Sequence, residues 1–496
     1  MFHRQDKKNN SKDKDLKNNK IPSSLNDTTA YIKELYHLPI NKDVMIRDLF
    51  LGGSTKKAFL LFINTISDTK IIEDSLLQPL LQNKDPLKNI EDIVCVSSIE
   101  EICTIGEAVQ ETNKGNTILF IEGSTSAYSF STAKFLGRNI DKAEDEVTLK
   151  GPKEAFTETV MTNVNLVRKK IKDENLIFEA ATVSERANNT LFITYIKDLT
   201  NEETLQKVRD KLNQLNPATL QNLSILEEYM DENPHSIFPT ILYTERPDRA
   251  AGYLNDGHIV ILMENSPASL ILPVTFWSFI HSPDDQYLRL VFGNFVRFLR
   301  AIAIFVTIFT SAAYVAVTNY HSSMIPPDLL MAIAATREKV PFPALVEILV
   351  MELAFELIRE AGLRVPSPIG PTIGIVGALI LGQSAVQANI VSPIVVIVVA
   401  LSGLSSFVVG DISMNFAIRS TRIFFIVAAG MFGIYGMAVV FAAGMFYLVT
   451  LKSYGVPYLA PFTPKYSSSK NVMFRRLIQK EAYRPEHIKP KDLIKK

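Results

Sequence analysis

Between Ala301 and Leu451 the sequence holds long apolar runs almost free of Lys, Arg, Asp and Glu. An ordinary buried helix pair of a soluble enzyme does not need so many such runs in succession, whereas a chain that crosses a lipid bilayer does. The runs are Ala301 to Asn319, Phe342 to Leu357, Ile369 to Ala388, Ile390 to Val409 and Ile423 to Leu451. Whole-chain composition hides this pattern, because 52 basic and 52 acidic residues cancel and nearly all of them lie before Arg300 or after Leu451. A chain of 496 residues also exceeds one hydrophobic core. The predicted fold class is an α/β soluble N-terminal region of two subdomains followed by an α-helical polytopic membrane domain.

Residues 1–25 are a disordered basic tail, since Lys, Asn, Asp and Ser offer too little apolar surface to offset the entropy of ordering. They contain no apolar core of a signal peptide, so the head is expected to stay cytoplasmic. Residues 26–150 form the first α/β subdomain, with a strand at Lys56 to Asn64, helices at Asp68 to Leu81 and Ile99 to Glu111, and a hairpin-like pair at Thr117 to Gly123 and Ala127 to Phe135. GGSTKK at Gly52 to Lys57 lacks phosphate-loop spacing and precedes a strand. Residues 151–284 form the second subdomain, with a helix carrying Phe156, Val160, Val164 and Val167, and a basic cluster of Arg168, Lys169, Lys170 and Lys172 read as a solvated face. Strands at Ile177 to Glu185, Thr190 to Ile196 and His258 to Glu264, helices at Glu202 to Leu215 and Thr219 to Asp231, and the segment Ser269 to Trp277 complete it. TERPDRAAGYLNDGH reads as a surface loop.

Residues 285–300 set Leu288, Val291, Phe292, Phe295 and Phe298 against Arg289, Arg297 and Arg300, an amphipathic helix suited to a membrane surface. Residues 301–451 form the transmembrane domain, with four or five hydrophobic segments, and 452–496 a basic cytoplasmic tail. Basic residues flanking both ends place both termini inside, which demands an even number of crossings. Four are expected, with the segment around Glu352 re-entrant or interfacial. The last run is long for one crossing. Asp411, Arg419 and Arg422 read as a polar break outside the lipid.

No HExxH, GxSxG or Walker loop is present, and Cys95 and Cys103 lack metal-ligand spacing and read as free thiols, so no enzyme, metal or cofactor is expected. The chemistry left is polar groups within apolar sequence. Glu352, Glu356 and Glu360 share one helix face at four-residue steps, and are costly in lipid unless they face water, a partner or one another. Local pairing offers Glu356 with Arg359 and Glu360 with Arg364. A ring of such carboxylates around an oligomer axis attracts cations, so Glu352 and Glu356 are pore or gating candidates, with Gln383, Ser384, Gln387 and Asn389 beside them. Pro366, Pro368, Gly370 and Pro371 form an elbow, and Gly374, Gly377 and Gly382 continue the small-residue spacing that lets helices approach closely.

These segments, GPKEAFTETVMTNVNLVRKKI, TERPDR, GHIVILMENSPASLILPVTFW, MIPPDLL, PSPIGPTIGIVGALILGQSAV and VPYLAPF, in this order, resemble the GerA family of spore germination proteins from about Asn41 to Pro464. Within it the resemblance is to the A subunit of nutrient germinant receptors, with the SpoVAF type a more distant relative of like architecture. It implies a multi-pass protein of the endospore inner membrane, partnered by a transporter-like B subunit and a lipoprotein C subunit, forming a homo-oligomer in contact with membrane lipid and binding no nucleic acid. It implies transduction of nutrient sensing (amino acid, sugar or nucleoside) into germination, with an oligomeric cation channel among the mechanisms. The alternatives are a non-conducting scaffold and, less favoured, a solute transporter.

Overall fold

The computed structural model describes residues 20–51, 56–83, 89–134, 142–143, 146–183, 189–215, 217, 219–364, 382–466 and 474–495. The chain divides into two compact units: residues 1–232, 241–273 and 482–496 in one, and 233–240 with 274–481 in the other.

The first unit holds two five-stranded sheets. Strands β1 (Val44–Phe50), β2 (Lys57–Ile63), β3 (Ile99–Ile102), β4 (Thr117–Ile121) and β5 (Ala127–Phe130) lie in the order β1-β2-β4-β5-β3, all antiparallel. Strand β2 is buried on both faces after Lys57, which is why it reads as a continuous apolar run. Phe59 and Phe120 stack across it at 4.8 Å. Helix α1 (Leu25–Leu35) covers one face of this sheet, with Ile21 and Leu25 already inside the core, so the ordered domain begins within the stretch expected to be a disordered tail. The helix expected over Ile99 to Glu111 is instead strand β3 followed by α2 (Ile105–Asn113). Thr104 and Glu107 form a reciprocal cap that starts the helix there.

The second sheet orders β6 (Leu176–Val183), β7 (Asn189–Ile196), β8 (Leu242–Thr244), β9 (Ile259–Met263) and β10 (Ser269–Leu272) as β6-β7-β9-β10-β8. Helix α3 (Val160–Lys170) packs against it, as does α4 (Pro247–Asp256). The expected surface loop is therefore largely a helix with one face buried. Pro247 occupies its first turn, and Gly257, at φ 98°, closes it in the left-handed conformation. Arg168 is not on a solvated face: its Nε sits 3.2 Å from the Asp43 carboxylate, both groups fully buried, and its Nη1 and Nη2 donate to the carbonyls of Asp173 and Leu176. Lys169 and Lys170 hold Glu154.

The second unit is a helical bundle: α5 (Leu290–Tyr320), α6 (Pro327–Arg337), α7 (Ala344–Arg364), α8 (Pro393–Ser406) and α9 (Ile412–Thr450). Two of them, α5 and α9, are long and apolar enough to cross a membrane. Helix α9 is not straight. A straight helix would set Phe425 and Phe441 about 24 Å apart, yet both rings lie against Phe309, with centroids at 4.9 and 6.0 Å. The reversal is at Gly433, whose φ of 64° and ψ of −143° break the helix, and Gly436 comes back against Ala428. The long final run is thus a hairpin of two antiparallel arms, 412–432 and 434–450.

Contacts order the bundle from a near end, where α5 begins and the second arm of α9 finishes, to a far end at Tyr320 and Gly433. The hydroxyl of Tyr320 donates to the carbonyls of Gly430 and Met431 at the far end. Leu345 packs on Gly430, and Arg359 at the other end of α7 reaches Asn415, so α7 descends from far to near. Ser392 meets Glu347 while Ser406 meets Asn415, so α8 descends too. At the near end, Asp285 is buried between Arg297 and Arg300, at 3.0 and 3.1 Å. The expected amphipathic helix is therefore a four-residue helix, Asp284–Tyr287, followed by the start of α5. Its Val291, Phe292, Phe295 and Phe298 are exposed along one side.

Candidate functional site

Four bundle helices converge on one charged core. Glu352 and Glu356 project from α7 one turn apart, and Arg419 and Arg422 from the first arm of α9 three residues apart, so each pair forms a stripe on the facing helix surface. Arg422 Nη2 lies 2.6 Å from Glu352 Oε2 and 3.3 Å from Glu356 Oε1. Arg419 Nε donates to Glu356 Oε1 at 2.8 Å, and its Nη2 pairs with the other carboxylate oxygen. The remaining valences come from hydroxyls. Ser311 of α5 donates to Glu352 Oε1 at 2.9 Å. Ser402 of α8 accepts from Arg422 Nη1 at 2.9 Å and donates to the Thr307 carbonyl at 3.0 Å. Close approach is possible because Gly403 admits the Phe355 ring.

Arg422 is 1% exposed and Glu352 4%, so this is an ion pair removed from solvent, tolerable only because each charge meets several partners. Arg359, one turn below Glu356, turns away from it. Its Nη2 donates to Asn415 Oδ1 at 3.2 Å and its guanidinium lies 4.7 Å over the Phe407 ring. Asn415 in turn donates to the Ser406 carbonyl at 2.6 Å. The expected local pair of Glu360 with Arg364 is present on the exposed face, at 2.6 Å. The expected Glu356–Arg359 pair is replaced by the two arginines of α9. These arginines lie inside a helix and not in a polar break, because the buried Glu352 and the half-buried Glu356 neutralise them.

A smaller polar group sits toward the far end. Glu347, 1% exposed, accepts from the Ser392 backbone amide at 2.9 Å, and its other oxygen forms an ion pair with Arg337 of α6 at 3.4 Å. Gln383, Ser384, Gln387 and Asn389 are exposed, and the described contacts do not join them to the charged core. Pro366, Pro368, Gly370, Pro371, Gly374 and Gly377 lie outside the described residues. Gly382 is buried beside Val396. Sequence reasoning missed Ser311, Ser402, Asn415, Arg419 and Arg422 as site residues. The matching step of acids on one apolar run and bases on another was the available signal. Among the described residues no group of three His, Cys, Asp or Glu side chains could hold a metal ion.

A two-sheet α/β unit followed by apolar helices that bury a shared charged core, two of them long and apolar enough to cross a membrane, defines the class of protein. The chain belongs to the Bacillus/Clostridium GerA spore germination protein family, which it matches over residues 30–487. It is 34% identical over 463 residues to spore germination protein KA of Bacillus subtilis (strain 168), covering 92% of this chain and 85% of that protein. With spore germination protein B1 of the same organism it shares 36% identity over 426 residues, 85% of this chain and 88% of that one. The crystal structure of the N-terminal domain of the A subunit of the Bacillus megaterium spore germinant receptor GerK3 is 26% identical, with a TM-score of 0.41, covering 52% of this chain and 98% of that domain.

Proposed function

We propose that the chain is the A subunit of a spore germinant receptor, which converts nutrient sensing (amino acid, sugar or nucleoside) into germination. The observation that carries this reading is the family match across both the head and the bundle, residues 30–487. In this reading the bundle lies in the spore inner membrane and the head faces the cytoplasm. Among the described residues, α5 runs from near to far, α7 and α8 descend, and the two arms of α9 run up and back. Residues 482–496 belong to the same unit as the head, which supports both ends lying on one side. A transporter-like B subunit and a lipoprotein C subunit complete the receptor, and copies of the A subunit assemble around an axis.

For the transduction step we favour cation passage through the assembled bundles, with Glu352 and Glu356 as gating residues and Gln383, Ser384, Gln387 and Asn389 lining the path. A specific observation favours the second reading, a non-conducting scaffold: both carboxylates are neutralised by Arg419 and Arg422. The two readings separate on current across liposomes that hold the full chain. Deleting the gene should abolish the response to at least one nutrient, and restoring it with Glu352→Gln or Glu356→Gln should alter nutrient-triggered cation release while the receptor still assembles. Normal germination on every nutrient, in a strain without redundant receptors, would remove the receptor assignment.

A further inference from the structure

The charged core does not balance. Glu352 and Glu356 neutralise Arg419 and Arg422, and Arg359, turned toward Asn415, is left as an excess of one positive charge. Among the described residues no carboxylate lies within ion-pair distance of Arg359, whose polar partner is the neutral Asn415. The guanidinium donors are also incompletely used. Arg359 Nη1, Arg419 Nη1 and Arg422 Nε are all buried without a hydrogen-bond acceptor, and Arg419 and Arg422 are more than nine-tenths buried. Unmet guanidinium donors on three arginines beside an uncompensated charge are costly in a low-dielectric setting, and one species relieves both deficits at once: an anion with several acceptor oxygens.

We propose that Arg359, Arg419 and Arg422 form a binding site for a phosphate-class oxyanion, carried either by a phospholipid headgroup or as free phosphate. Guanidinium groups present paired donors that match tetrahedral oxyanions, and their weak hydration makes them the usual cationic residue for such a ligand. At the near end of the bundle Phe407 lies beneath Arg359 and Phe416 lies 5.1 Å beneath Arg419. Both rings are exposed, so an acyl chain attached to the phosphate has apolar surface to follow. Asn415, which fixes Arg359, is itself anchored to the Ser406 carbonyl, so the site is built before the ligand arrives. The proposal rests on this geometry and not on the germination role.

The test uses the full chain purified in a neutral detergent. Native mass spectrometry would be run with dioleoyl phosphatidylglycerol and, separately, with dioleoyl glycerol, which lacks the phosphate; equilibrium dialysis would be run with radiolabelled inorganic phosphate. We expect one bound phosphatidylglycerol per chain and none of the diacylglycerol if the source is lipid, or saturable inorganic phosphate if it is free. Arg359→Gln should weaken binding of the effective probe at least tenfold, and Arg359→Lys less. Arg364→Gln, at an exposed arginine already paired with Glu360, should bind as the wild type does. Failure of the wild-type chain to bind either phosphate probe would overturn the proposal whatever the variants do. So would equal binding by folded Arg359→Gln, with folding judged by an unchanged helical circular dichroism melt.

Discussion

Arg422 shows most plainly what a buried charge requires. It is held by Glu352 and Glu356 of α7 and by Ser402 of α8. Removing one member of such a pair leaves the other charge buried and unpaired, at a cost of about 3–5 kcal/mol. We therefore expect Arg422→Gln to lower the thermal unfolding temperature of the purified protein markedly. The joint change of Arg422→Met with Glu352→Met should recover most of the loss, because no stranded charge remains. If the double variant is as unstable as the single one, the cost lies in packing and not in charge. The same logic applies in the head, where Asp43 meets Arg168 with both side chains fully buried. Asp43→Ala should destabilise the head by a comparable amount, measured by urea unfolding.

At the scale of elements, two glycines decide chain direction. Gly433 turns one apolar run into two antiparallel arms, and an added Cβ would stand 3.0 Å from the Tyr320 Cβ and from the His321 ring. Gly433→Ala combines that clash with a positive φ that L residues rarely adopt. It should open the hairpin, and a cysteine pair placed at Phe425 and Phe441 should then cross-link less readily with a short bifunctional reagent than in the unaltered hairpin. Gly257 does the corresponding work for α4: it ends the helix at φ 98°, and an added Cβ would stand 3.3 Å from the Leu199 carbonyl and from Pro490. Both elements were hidden from periodicity. Gly433 sits in a continuous apolar run with no Pro or polar neighbour, and TERPDRAAGYLNDGH has the composition of a loop although its Pro and Gly stand at the two positions a short helix prefers. The helix pairs that hold the charged core were legible only in part. The acids of α7 announce themselves by their four-residue spacing, while the bases of α9 look like a loop until the fold sets them opposite.

At the scale of the molecule, the C-terminal residues close back on the head's own unit. Lys491 donates through its backbone to Leu199 and through its side chain to the Lys197 carbonyl, Arg484 donates to the Asn255 carbonyl, and Ile488 is buried. Burial, with the neighbouring His258 adding to it, depresses the His487 imidazole from 6.5 to about 3. The docked state therefore resists protonation, and this contribution is complete above pH 6.5 and is lost as pH falls toward 3. Asp198 acts in the opposite sense, since burial lifts its carboxyl from 3.8 to about 6 and disfavours its ionised form. The two effects oppose one another between pH 3.8 and 6. Asp198→Asn should unmask the histidine, so that the variant loses thermal stability on acidification below pH 6.5 more steeply than the wild type. Parallel pH profiles would count against the buried imidazole as the source.

By itself the sequence determined the order of the chain: an α/β head first, apolar helices after it, carboxylates at helical spacing within them, and membership of a family through motifs in fixed order. Those properties follow from local pattern, which one strand or one helix already contains. Only the tertiary structure decided which charges are neighbours, that Arg168 and Arg422 are buried and not solvated, and that the final run folds back at Gly433. A side chain's charge is tolerable or costly according to partners tens or hundreds of residues away, and no local periodicity encodes where those partners will lie.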